Sequence, residues 1–87
     1  MSTTEDRDRT EWLKAFGEAV KECRLGKGMS QEELGFRSGL DRTFISHVER
    51  GTRNATLWAV RRLASGLETP ASVILEMAEK KLSASPE

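Results

Sequence analysis

Cysteine and histidine each occur once in this 87-residue chain, and no stretch is apolar for long enough to cross a bilayer. A lone Cys23 excludes an internal disulfide and reads most simply as a small core-facing residue. One cysteine and one histidine are too few for a zinc centre, so no metal and no cofactor is expected. The opening segment, MSTTEDRDRTE, lacks the apolar run of a secretory signal, which predicts a cytoplasmic protein. Paired carboxylates, a glycine-rich phosphate loop and metal-ligand spacing are missing too, and Cys23 and His47 fall on different faces. An enzyme is therefore the weakest of the function classes open to the chain. Strand-like alternation, repeats and low-complexity linkers are also absent, leaving one all-α domain as the simplest architecture.

Net charge is zero, with 14 basic and 14 acidic residues, so bulk electrostatics cannot hold this chain to a polyanion and the distribution of charge has to decide. It is uneven. Residues 1–11 and 67–87 are acidic on balance, whereas residues 41–66 carry Arg42, Arg50, Arg53, Arg61 and Arg62 against Asp41 and Glu49. The basic excess falls in one stretch near the middle of the chain.

Capping and periodicity predict five helices. Asp8 three residues before Glu11 has capping-box spacing, and Trp12, Phe16, Ala19, Val20 and Cys23 recur at helical intervals, giving a first helix over about residues 10–25 after a flexible arm at 1–9. Ser30 and Glu33 form a second box ahead of a helix at about 31–38, and Gly39 breaks the chain. Asp41 is a good N-cap for a third helix ending at Gly51. Thr56 caps a fourth at about 57–65, ended by Gly66, and Pro70 takes the first position of a fifth at about 70–82. The domain then spans 10–82, with a frayed tail at 83–87.

The segment QEELGFRSGLDRTFISHVER joins the second and third helices through a sharp turn, with Leu34, Gly35, Ser38, Leu40, Ile45 and Val48 placed for two helices to cross closely. With Ile45 at zero and about 100° per residue, Val48 falls near −60°, so the free face of the third helix centres near 150°. Thr43, Ser46, His47 and Arg50 lie on it, with Arg42 and Phe44 at its flanks. Hydroxyl, imidazole and guanidinium groups on one helical face suit the major groove of DNA, where each base pair presents a distinct set of donors, acceptors and methyls. Arg42 can fork onto guanine, Thr43 and Ser46 can bond either way, and His47 can donate or accept. Gln31 with free helix N–H groups, and Arg53 and Asn54 in the next loop, are candidates for the phosphate backbone, with Arg50. Phe44 is evenly balanced between packing on the domain and touching DNA.

These residues resemble the Cro and lambda-repressor-like, or XRE, helix-turn-helix proteins. FGEAVKECRLGKGMSQEEL, SGLDRTFISHVERGTRN and TLWAVRRLASGL agree in order and spacing, over about Phe16 to Leu67. The segment ERGTRN and a fifth helix look most like restriction-modification controller proteins or short phage repressors. The resemblance implies a five-helix lambda-repressor-like fold and a sequence-specific transcriptional regulator. It also implies base contacts from Arg42, Thr43, Ser46 and His47, a phosphate contact from Gln31, and a structural ion pair between Arg24 and Glu49. Gly35 and Gly66 stand where such proteins commonly carry alanine, each at about 1 kcal/mol of helix propensity.

The apolar residues of the fifth helix cover an arc of about 200°, wider than one packing face needs. With Trp58, they either close the core against Trp12 or form a two-fold contact. A homodimer is the preferred expectation, with Trp58, Leu75 and Met77 at its interface, because a symmetric pair meets two half-sites and adds both sets of contacts. Glu32 and Glu33 are expected as caps and solvated surface, the alternative being an acidic contact with RNA polymerase. A reading from another class is an antitoxin-like module whose fifth helix neutralises a partner protein.

Overall fold

The computed structural model describes residues 3–84, which form α1 (Thr4–Gly26), α2 (Gln31–Ser38), α3 (Arg42–Glu49), α4 (Leu57–Leu67) and α5 (Ala71–Ala84), with no strand among them. The first helix begins at Thr4, not near residue 10. Thr3 and Asp6 make the reciprocal capping box expected of Asp8 and Glu11, with Asp6 N–H donating to Thr3 Oγ1 at 3.0 Å. Most of the segment expected as a flexible arm is therefore helical. Of the tail expected to fray, residues 85–87 lie outside the described residues, and α5 continues to Ala84.

Several caps differ from expectation in detail. Ser30 accepts from Glu33 N–H at 3.0 Å, but the Glu33 carboxylate turns away to Arg37 at 2.7 Å and leaves the box half made. Asp41 stands at the α3 N-cap without a side-chain capping bond. Thr56 does cap α4, accepting from Ala59 N–H at 3.1 Å. That helix runs one residue past Gly66, and Glu68 ends it in a left-handed conformation. Pro70 precedes α5 rather than opening it, its carbonyl receiving Val73 N–H at 3.0 Å.

The core is aliphatic. Val20, Leu34, Ile45, Val48, Leu63, Leu67 and Ile74 are fully buried, each contributing about 1.5–3 kcal/mol by leaving water, and they come from all five helices. α5 lies along α1, joined by the Lys81–Glu22 ion pair, while α2 packs against α3 and α4. Gly39 makes the turn between α2 and α3 with φ 71°, a left-handed conformation that glycine adopts at no steric cost. Gly17 lets α1 and α3 meet backbone to backbone: a Cβ there would sit 2.2 Å from the Val48 carbonyl oxygen. Gly35 and Gly66 are likewise at close approaches, to the Leu40 carbonyl and to Ser38. Their lower propensity accompanies tight helix crossings.

Candidate nucleic-acid interface

α3 is seated from below and open above. Ile45 and Val48 are 0% and 1% exposed, and Glu49 is buried beside them. Arg42, Thr43 and Arg50 stand exposed on the other side, with Ser46 and His47 half-exposed. Gln31, Arg42, Thr43 and Ser46 line one shallow cleft where the α2 N-terminus meets the start of α3. The structure thus brings together one of the four backbone candidates and three of the four base-reading candidates.

The seat is fixed by a buried ion pair. Arg24 Nε donates to Glu49 Oε2 at 2.7 Å and its Nη2 to Oε1 at 2.9 Å, while Nη1 reaches the Met29 carbonyl at 2.8 Å. Gln31 Nε2 donates to the same Oε1 at 3.0 Å. One hydrogen of the Gln31 amide is therefore committed inside the protein. Its second hydrogen and the unpaired N–H groups of the first α2 turn remain for an anion. No buried side-chain nitrogen or oxygen lacks a partner among the described residues.

Beyond the C-terminal end of α3 the loop is organised by aromatic and polar contacts. The Arg53 guanidinium lies over the Phe44 ring, 5.3 Å from its centroid, so half-buried Phe44 packs on the domain and holds a cation at the edge of the polar face. Asn54 lines a shallow apolar groove with Trp12, Leu13, Phe16, Ala55, Val60 and Leu75. Arg50 Nη2 lies 3.3 Å and Thr52 Oγ1 3.1 Å from His47 Nδ1. Thr52 lies within the ERGTRN segment but is not among the site residues expected from the sequence, because its contact with His47 depends on the turn after Gly51.

Of the residues expected at a dimer contact, Leu75 and Met77 lie on different sides of α5. Leu57, Trp58 and Leu75 are 85%, 67% and 41% exposed. Met77 lies about 200° from Leu75 around α5, half-buried, with its Sδ 3.5 Å from Cys23 Sγ. Cys23 is thus partly buried, and desolvation pushes its thiol above the ordinary range against a smaller opposing pull from Lys27. Arg62 joins Trp58 to the turn: its guanidinium lies 5.8 Å from the Trp58 ring centroid, and Nε donates to the Ser38 carbonyl at 2.8 Å. A cation there complements the C-terminal end of α2.

A polar helix carried on a buried seat after a tight glycine turn defines the helix-turn-helix class. The helix-turn-helix family profile matches residues 20–74, and the chain belongs to that family of DNA-binding regulators rather than to an enzyme family. Among its relatives, Control protein C.BamHI of Bacillus amyloliquefaciens is 47% identical over 53 residues, 60% of this chain and 65% of that protein. The chain thus spans just under two thirds of that relative's length. The wild-type restriction-modification controller protein C.Esp1396I superposes with a TM-score of 0.79 at 39% identity, over 85% of this chain and 96% of the other. The controller protein C.AhdI from Aeromonas hydrophila gives 0.70 at 44% identity, over 71% and 94%. No helix among the described residues is long and apolar enough to cross a membrane.

Proposed function

We propose that this chain is a controller-type transcriptional regulator that binds double-stranded DNA as a homodimer, seats α3 in the major groove and recognises a palindromic operator. The observation that carries the reading is the division of α3 into a buried seat at Ile45, Val48 and Glu49 and an open face bearing Arg42, Thr43, Ser46 and His47. In this reading those four side chains contact bases, while Gln31, Arg50, Arg53 and Asn54 bind phosphates and fix the register. The chain itself performs no chemistry on the DNA, and a protein that controls transcription in this way works in the cytoplasm.

A neutral molecule gains little from long-range attraction, so pairing two reading heads is the economical route to affinity. The exposure of Leu57, Trp58 and Leu75 supports apolar contact with a second copy, with Met77 left to the Cys23 contact. Glu32 is exposed and Glu33 is engaged by Arg37, which supports a solvated surface here over a contact with RNA polymerase. Selection of bound fragments from random DNA tests the whole reading. The expected product is a consensus with two-fold symmetry whose half-sites are centred about one helical turn apart, roughly 34–36 Å. Unselective binding, or a lone half-site bound by a monomer in sedimentation at micromolar concentration, refutes the dimeric operator.

A further inference from the structure

His47 stands on the open face of α3 with its Nδ1 already occupied. Arg50 Nη2 approaches Nδ1 at 3.3 Å, and Thr52 Oγ1 lies 3.1 Å from the same atom. Arginine has only donors, so its contact requires a lone pair on Nδ1. The Thr52 hydroxyl can adapt. Its hydrogen goes to the His47 carbonyl at 3.1 Å, beside the Thr52 N–H at 3.0 Å, or turns to Nδ1, so the Arg50 contact is what decides which ring nitrogen carries the hydrogen. A lone pair on Nδ1 puts the ring hydrogen on Nε2, the nitrogen that neither neighbour touches. The form excluded is the one with Nδ1–H and an accepting Nε2, which would set an N–H against the Arg50 N–H.

We propose that His47 reads bases only as a donor: its Nε2–H meets an acceptor on the major-groove edge, a purine N7, guanine O6 or thymine O4, and discriminates against the amino groups of adenine and cytosine. The assignment rests on the reading of α3 as the recognition helix. It makes Arg50 and Thr52 positioning residues for His47 in addition to any phosphate contact. The major groove offers both acceptors and amino donors, so the imidazole proton determines which of them this position accepts.

The single histidine makes the first test unambiguous. In protein labelled with nitrogen-15 in its imidazole, NMR should show the hydrogen on Nε2 in the wild type and a larger share on Nδ1 in Arg50→Ala. A dominant Nδ1–H form in the wild type overturns the proposal. In the second test, a selected operator is resynthesised with single acceptors removed, using 7-deazapurines, 2-aminopurine for guanine or 5-methyl-2-pyrimidinone for thymine, or with single amino groups removed, using purine for adenine or 2-pyrimidinone for cytosine. One acceptor deletion should weaken the wild type about tenfold and His47→Ala less than about twofold. Arg50→Ala should lose discrimination at that same position, whereas loss of a phosphate contact alone lowers affinity for every operator equally. An amino-group deletion whose effect requires His47 refutes donor-only reading. Specific binding in which no position depends on His47 refutes this inference and leaves the recognition helix standing, and failure to select any operator refutes both.

Discussion

Replacing Glu49 by alanine should be among the most damaging single changes in the molecule. Its carboxylate receives two hydrogen bonds from Arg24 and one from Gln31, at 2.7, 2.9 and 3.0 Å. The Arg24 side chain is only 8% exposed, so truncating Glu49 leaves a guanidinium with most of its hydration removed and one remaining acceptor, the Met29 carbonyl. Breaking a buried pair by removing one partner costs about 3–5 kcal/mol, mostly because the other charge stays buried. At about 0.05–0.15 kcal/mol per residue, a domain of this size has roughly 4–13 kcal/mol in total. Urea unfolding followed by the fluorescence of Trp12 and Trp58, at fixed protein concentration, is the assay. With a slope of about 1–1.5 kcal/mol per molar, the midpoint should fall by about 2 M or more. The double variant Arg24→Met, Glu49→Leu removes both charges and should recover at least about 1 kcal/mol relative to Glu49→Ala. A loss below about 1 kcal/mol for Glu49→Ala, or no recovery in the double variant, would show that the pair is not what holds α3 to α1.

Gly17→Ala should destabilise by about 1–3 kcal/mol despite alanine's better helix propensity, because the added carbon meets the Val48 and Glu49 carbonyl oxygens at 2.2 and 2.8 Å; a rise in thermal midpoint would contradict the close approach. Arg42→Ala should weaken the preferred operator by about 1–3 kcal/mol and relax one base position, whereas Arg53→Ala should weaken all sequences alike and lower the salt slope by about one; identical effects of the two across an operator panel would contradict the division. Cys23 should react with a disulfide reagent far more slowly in the native protein than in urea, since burial raises its thiol above the ordinary range; equal rates at pH 8 would contradict its placement against Met77.

The parts of the fold that were legible in the chain are those with a local cause. Gly39 and the spacing from Leu34 to Val48 marked the turn and its two helices because a left-handed residue and a buried stripe each leave a short-range signature. The start of α1 has only one such signature, the Thr3–Asp6 box. Its first two turns are charged and exposed, so no apolar periodicity distinguishes that box from the similar spacing at Asp8 and Glu11. The double duty of Gln31 was also hidden, since the Glu49 carboxylate that takes its amide hydrogen lies eighteen residues along the chain. So was the grip of Arg50 and Thr52 on His47, which depends on how the chain turns after Gly51. Met77 is a different case. Helical geometry alone sets it on the far flank of α5 from Leu75, and grouping the two by hydrophobicity obscured that.

Because Gly17 brings the main chains of α1 and α3 into direct contact, peptide groups set how closely the third helix can approach, in addition to the side chains buried beneath it. A mount of that kind does not shift when solvent-facing residues are exchanged. Descendants of this domain could therefore acquire new target sequences by replacing a few exposed positions, with no compensating change beneath them.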